Sequence, residues 1–178
     1  PDRIARLRAA ADFAIYTPGS TAGLPLSVLG SFSAPPATLR ADADLYRQHI
    51  SGVVTGLLTL VGIDANPVDS REHILLSSVL DHQWQQGRNL DLGGLIGAIQ
   101  NPGLGKIGVL DLESFYPSKD RFALAMRLNN LLAAPGFQAW TQGAPLDAGT
   151  LLFTADGRPR VSIMSIAHLG DAERMFFV

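Results

Sequence analysis

The spacing of apolar residues predicts two amphipathic helices in the first half of the chain. The first covers residues 42–61, with Asp42 as its N-cap and leucines and valines recurring at helical intervals. The second follows a capping box in which Asp69 is the expected N-cap and Glu72 occupies N3. Gly87 is expected to end this second helix, because glycine adopts the left-handed conformation that closes helices.

The same kind of pattern continues through the middle of the chain. Residues 91–100 form a shorter predicted helix, and the glycine-rich residues 102–105 form a turn. Residues 107–112 are a short apolar strand or extended segment. A strong helix then begins at Ser118 and stops before Pro135, since the residue before proline disfavours helical geometry.

β-rich segments lie on either side of this helical region. Residues 13–16 predict a short strand after a weakly helical start at 3–11. Residues 151–154 and 160–166 flank an Asp156-Gly157 dipeptide, which is typical of a β-hairpin.

This order of elements indicates a mixed, mostly helical α/β fold with a helical block inserted in its middle. The expected division places 1–40 and 146–178 in one part and 41–145 in the helical insertion. Residues 21–36 carry many glycines and prolines together with large apolar side chains, so we expect an extended, partly buried arm there.

The C-terminal residues, from about 171 to 178, indicate that the fold extends beyond this sequence. A helix is predicted to begin near Asp171, and it runs into the apolar end Met175-Phe176-Phe177-Val178. Terminal residues are usually frayed and polar. We therefore expect these 178 residues to come from a larger protein, with part of any active site outside them.

Composition narrows the classes of function. An apolar fraction of 47% with 17% charged residues is typical of a folded protein, and a net charge of −2 gives no general attraction to nucleic acid or anionic membranes. The absence of cysteine excludes disulfides, Cys-ligated zinc and thiol catalysis, and it suits a cytoplasmic protein. The most apolar stretch, residues 50–63, is too short to span a bilayer, so we expect no membrane partner.

Two motifs suggest chemistry but fail on spacing. Residues 103–106 resemble a phosphate-binding loop, yet Gln100 and Ile107 stand where that motif requires Gly and Ser or Thr. His73 and His82 lie nine residues apart on one predicted helix, which places them on opposite faces. They cannot share a metal ion, and no metal site is expected.

The remaining candidates follow predicted strands. Asp111 and Glu113 come after the short strand near 107–112, where α/β sites gather, although capping by Asp111 explains them more simply. His168 would lie just past the carboxyl end of the last strand if that strand joins a parallel sheet; the alternative is a loop histidine bonded to backbone. Arg160 and His168 are therefore weak candidates for cofactor binding, and no catalytic residue is identified.

Five blocks, taken in order, resemble a known family. The chain is similar to bacterial ATP-binding proteins of the HerA-like branch of P-loop motors, which are related to FtsK translocases and type IV secretion ATPases. The blocks that carry this resemblance are Ile15–Ser20, Ser70–Ser77, Ile107–Glu113, Leu128–Phe137 and Arg160–Leu169.

The resemblance implies a fragment of a RecA-like P-loop core that carries an inserted helical block. In that family the Walker A loop lies upstream of the matched part and the Walker B strand lies downstream, so no family catalytic residue falls on this sequence. The resemblance also implies a cytoplasmic homo-oligomeric ring that uses ATP and Mg²⁺ to move DNA or another polymer. This chain alone is expected neither to bind nor to hydrolyse ATP.

Two other hypotheses stay open. The helical block could be a self-folding interaction module for a protein or DNA partner, without enzymatic activity, or the chain could be an α+β domain of unrelated function. An interaction module predicts a large exposed apolar or basic face on the helices. A fragment predicts exposed apolar surface only around residues 13–16 and 160–178.

Overall fold

A computed structural model of the chain describes residues 2–27, 32–171 and 173–174. Its helices are α1 (Asp2–Ala10), α2 (Ala37–Ala41), α3 (Ala43–Leu60), α4 (Arg71–Gln85), α5 (Leu92–Gln100), α6 (Leu112–Phe115), α7 (Ser118–Ala133) and α8 (Ala148–Leu152), with a 3₁₀ helix at Pro135–Trp140. Its strands are β1 (Asp12–Tyr16), β2 (Leu26–Ser27), β3 (Lys106–Ile107), β4 (Leu110–Asp111), β5 (Ala144–Pro145) and β6 (Arg160–Met164).

The predicted mixed, mostly helical class is confirmed, because about half of the described residues are helical and the strands form small sheets. The strands pair as β1–β6 and β2–β5, both parallel, and as the antiparallel pair β3–β4. In the described part of the chain, no helix combines the length and apolarity needed to cross a membrane.

The chain divides into two compact units. The mixed unit comprises the described residues of 2–27 and 134–174, and the helical unit comprises residues 32–133. The sequence analysis placed the corresponding boundaries after residues 40 and 145. The helical unit therefore begins within the predicted arm, at Phe32, and ends before the 3₁₀ helix.

The helical unit has an apolar core between α3, α4, α5 and α7. Asp42 caps α3 as predicted, since its carboxylate accepts from the backbone N–H groups of Asp44 and Leu45 at 3.1 Å. Core side chains at 0–1% exposure are Val54, Leu57, Leu58, Leu75, Leu76, Val79, Leu80, Trp84, Leu95, Ile99, Ala125 and Leu128. The indole of Trp84 donates to the carbonyl of Phe32 at 2.8 Å, which leaves its buried N–H satisfied.

The N-cap of α4 is Ser70, so the prediction of Asp69 was wrong by one residue. The Ser70 hydroxyl accepts from the backbone N–H of His73 and donates to the Glu72 carboxylate at 2.9 Å. A hydroxyl can do both at once, whereas an ionised Asp can only accept. At the other end, Gly87 follows α4 with a φ of 68°, as predicted.

Residues 107–112, predicted as one short strand or extended segment, instead form a tight hairpin that leads into α6. β3 and β4 pair around Gly108, whose φ of 60° permits the reversal, and Asp111 then begins α6. A run of apolar residues does not show where the backbone reverses, and the glycine within it is the feature that decides.

The mixed unit is organised by β1 and β6, which pair in register from Asp12 with Arg160 to Tyr16 with Met164. Both strands were predicted. The hairpin before β6 was predicted only in part: its turn exists at Gly157 (φ 81°), but residues 151–152 end α8. Asp147 explains the helix, because its carboxylate caps it by accepting from the Thr150 N–H at 2.9 Å.

Two predictions concern segments that the structure describes only in part, the arm and the C-terminal helix. Within the predicted arm, Leu26 and Phe32 are buried, while residues 28–31 lie outside the described residues. Residues 171, 173 and 174 are helical, in agreement with a helix that begins near Asp171; because Asp171 is itself helical, it is not the N-cap. The apolar end at 175–178 also lies outside the described residues.

Candidate functional site

The parallel β1–β6 pair exposes an apolar face, here called the open face. It consists of Phe13, Ile15, Val161 and Ile163, which are 44%, 54%, 42% and 46% exposed. Phe13 pairs with Val161 and Ile15 with Ile163, so the four side chains form one contiguous patch. Parallel strands are normally covered on both faces, which makes this arrangement unusual.

The opposite face of the pair is more buried, and its polar members include Arg160 and Asp12. Arg160 donates from Nε to the Asp12 carboxylate at 2.8 Å, and from Nη1 to the Tyr16 hydroxyl at 3.2 Å and the Thr150 carbonyl at 3.0 Å. The hydrogen bond to Asp12 raises the pKa of Arg160 further above its ordinary value. This candidate cofactor-binding residue therefore ties β1, β6 and α8 together.

A cavity of about 450 Å³ adjoins Arg160 beside α8. Its acidic member, Asp147, accepts from both the N–H and the hydroxyl of Thr150. The backbone bond from Thr150 lowers the pKa of Asp147 below its ordinary value. The charged groups of this cavity are already occupied by structural bonds.

The sequence analysis placed His168 just past the carboxyl end of the last strand, on the condition that this strand joins a parallel sheet. The structure meets that condition, because His168 follows β6 and β6 pairs with β1 in parallel. Its Nε2 lies 2.8 Å from the Pro18 carbonyl oxygen, so the ring nitrogen donates this bond. His168 thus links the loop after β6 to the loop after β1. The structure does not bring His168 and Arg160 together, because they flank opposite ends of the same strand.

The motifs set aside on sequence grounds have structural roles. Lys106 lies in β3 rather than opening a helix, so residues 103–106 lack phosphate-loop geometry. Asp111 caps α6 through the N–H of Ser114 at 2.9 Å. Glu113 accepts from the N–H of Ser118, and this bond is the main cause of its lowered pKa.

The histidines of α4 are separated as the spacing predicts. His73 is buried, with its two ring nitrogens 3.2 Å from the hydroxyls of Thr55 and Ser77, and burial lowers its pKa. His82 is partly exposed and contacts Gln86. Among the described residues no three His, Asp or Glu side chains are grouped to hold a metal ion.

The sequence analysis missed a groove of about 570 Å³ between α3 and α4. Arg40, Tyr46 and Asp81 line it together with apolar side chains. Burial, and then the bond to Asp81, raises the pKa of Tyr46 to about 12. The available signal was a polar stripe recurring every four residues along α4, namely His73, Ser77, Asp81 and Gln85.

A smaller cavity of about 380 Å³ lies between α4 and α7. Arg71 stacks over the Tyr116 ring with 5.1 Å between its guanidinium carbon and the ring centroid, and it lies 3.5 Å from Asp120. The Tyr116 hydroxyl donates to Glu72 at 3.2 Å. These groups satisfy one another, so the cavity offers less unpaired polarity than the α3–α4 groove.

No protein-family model, curated protein or solved structure matches this chain.

Proposed function

We propose that this chain is part of a HerA-like ATPase motor that couples ATP hydrolysis to the movement of DNA or another polymer. In this proposal the mixed unit belongs to a RecA-like core, and the helical unit is an insertion between two neighbouring core strands. The P-loop, the Walker B strand, ATP and Mg²⁺ belong to the whole protein, a cytoplasmic homo-oligomeric ring. The chain alone is not catalytic.

The open face carries this proposal. A four-residue apolar patch on a parallel pair is the surface that a helix layer covers in α/β folds. β1 and β6 are also adjacent and parallel, although the whole helical unit lies between them in the sequence. An insertion between neighbouring core strands would produce this topology.

Calorimetric titration of the chain with ATP and Mg²⁺ tests the first consequence. We expect no measurable heat of binding, because the described residues lack a glycine-rich phosphate cradle. Micromolar binding would overturn the proposal. The encoding reading frame supplies the positive test: a Gly-x-x-x-x-Gly-Lys-[Ser/Thr] motif before Pro1 and an apolar strand ending in Asp-Glu after Val178 are expected.

A matched pair of variants in the whole protein sharpens this test. Ile163→Asp places a charge on the open face, and we expect it to abolish ring assembly and polymer-stimulated ATPase activity. Leu45→Asp alters a similarly exposed side chain on α3 and should leave both intact. If Ile163→Asp and Leu45→Asp impair ring assembly and ATPase activity equally, the open face no longer supports the motor proposal.

A second function, an interaction module, is favoured by α7. Phe122 and Met126 are 55% and 41% exposed and lie one turn apart on that helix. Exposed apolar surface is therefore not confined to residues 13–16 and 160–178. Phe122→Ser together with Met126→Ser would abolish capture of a protein partner in this case, and would leave the motor activity unchanged if the first proposal holds.

A further inference from the structure

The α3–α4 groove combines room for a small molecule with a mostly apolar lining. Its volume of about 570 Å³ lies in the range of small-molecule sites, roughly 300–1,000 Å³. Ile50 from α3, Ile74 from α4 and Pro67 from the intervening loop contribute apolar lining. An apolar group of modest size would displace water from this surface favourably.

Asp81 supplies a negative charge to the groove. One carboxylate oxygen, Oδ1, accepts from the Tyr46 hydroxyl at 3.0 Å and from Gln85 Nε2 at 3.3 Å. Both donors are neutral, and among the described residues no cationic group forms an ion pair with Asp81. Its second oxygen, Oδ2, is left to accept from a ligand.

Arg40 supplies a positive charge to the same groove. Its Nη1 donates to the Trp84 carbonyl at 3.2 Å, whereas its Nε is buried and has no hydrogen-bond partner. No carboxylate among the described residues pairs with it. The guanidinium charge of Arg40 is therefore not neutralised by a carboxylate and is available to an anionic group in the groove.

Arg47, a second cation that lines the groove, is ion-paired with Asp44, whereas among the described residues the charges of Arg40 and Asp81 have no ion-pair partner. Both are felt at the Tyr46 hydroxyl, where the charge of Asp81 raises its pKa and that of Arg40 lowers it. Asp81 would repel a purely anionic ligand, and Arg40 would repel a purely cationic one. A molecule that carries both charges is attracted by both residues.

We propose that the α3–α4 groove binds a small zwitterion with an apolar body, of the α-amino acid class. Its carboxylate would lie at Arg40, its ammonium group at Asp81, and its side chain against Ile50 and Ile74. This inference is independent of the motor proposal, because its readout is binding to the chain itself.

Three probes that share one side chain test the charge requirement. L-phenylalanine carries both charges, N-acetyl-L-phenylalanine lacks the cation, and L-phenylalanine amide lacks the anion. In titrations followed by NMR chemical shifts, we expect L-phenylalanine to bind at millimolar concentration or tighter, and each blocked analogue to bind roughly tenfold more weakly. Absence of binding by L-phenylalanine, or equal binding of the three, overturns the inference.

Two variants assign the charges to residues. Asp81→Asn keeps an acceptor for Tyr46 but removes the charge, so it should weaken L-phenylalanine and the amide and spare N-acetyl-L-phenylalanine. Arg40→Gln should spare only the amide. Asp64→Asn, which changes an exposed carboxylate of the same unit that does not line the groove, is the control and should change nothing. If Asp81→Asn weakens all three probes equally in a folded protein, charge recognition is excluded.

Discussion

The two units differ in which side chains they bury. In the helical unit, leucines such as Leu76 and Leu80 are fully buried between helices. In the mixed unit, the isoleucines of β1 and β6 are about half exposed, while Arg160 is held on the covered face. Burial of apolar area is the main favourable term in folding. The helical unit therefore contains its own stabilising core, whereas the central sheet of the mixed unit depends more on polar contacts.

The two units also differ in how completely their apolar surfaces are covered. In the helical unit, α3, α4 and α5 each begin with a side-chain cap, and their apolar faces share one buried core. The parallel pair of the mixed unit has one layer of cover, while parallel sheets require two. The open face is therefore the surface of the mixed unit on which a further layer would pack.

The largest effect is expected from Leu80→Ala in the core of the helical unit. Leu80 has no exposed surface, so the substitution removes buried methyl groups and leaves a cavity. We expect the free energy of unfolding to fall by about 2–5 kcal/mol. Trp84 lies in this unit and Trp140 in the other, so single-tryptophan variants can follow each unit separately in urea.

Leu45→Ala is the matched control for this prediction. Leu45 is 53% exposed on α3, and its truncation should change the free energy of unfolding by at most about 0.5 kcal/mol. Similar losses for the two leucines would show that the core of the helical unit is not the source of its stability.

The next effect is expected from Arg160→Met in the mixed unit. The substitution keeps much of the aliphatic stem but removes the bonds to Asp12, Tyr16 and Thr150. Because Asp12 is partly exposed and solvent screens the ion pair, we expect a smaller loss of stability than for Leu80→Ala. Tryptophan fluorescence of Trp140 during urea unfolding measures it, and an unchanged midpoint would contradict the polar account of this sheet.

The sequence predicted local features better than arrangements across the fold. Asp42 was identifiable as a cap because capping depends on neighbours in the chain, and β1 was identifiable from its β-rich residues. The exact cap of α4 was missed, since Asp69 and Ser70 are both good N-caps and only geometry selects between them.

The groove could not be derived from pattern alone. Tyr46 and Asp81 are 35 positions apart, and on an amphipathic helix Asp81 is indistinguishable from an ordinary solvent-facing residue. Likewise, alternation in β1 defines two faces but does not indicate which one is covered. That choice is made by α8, whose contact with β6 includes the bond from the Ser162 hydroxyl to the Leu151 carbonyl.

A pH-dependent effect is expected in the helical unit. Burial lowers the pKa of His73 below its ordinary value of 6.5, so the unfolded chain binds a proton more readily than the folded one. Stability should therefore decline as the pH falls below about 6.5 toward the folded-state pKa. His73→Gln should flatten this decline in urea titrations at several pH values, despite costing stability at neutral pH through its bonds to Thr55 and Ser77.

His49 provides an internal comparison, because burial lowers its pKa as well. His49→Gln should remove a further part of the acid-induced decline, and the double variant should be flatter than either single variant. A decline that is unchanged in the double variant would assign the acid sensitivity to other groups.

The smallest effect is expected from Ile163→Thr on the open face. Threonine is also β-branched and keeps the strand propensity, and Ile163 is 46% exposed, so little apolar burial is lost. We expect the free energy of unfolding of the mixed unit to change by no more than about 0.5 kcal/mol. The same strand would then tolerate loss of an isoleucine better than loss of Arg160, the reverse of the order usual in a buried sheet. If Ile163→Thr instead costs more than Arg160→Met, Ile163 is buried in solution, and cover of the open face by a second copy of the chain is the case to test. A dependence of unfolding on protein concentration would identify that case.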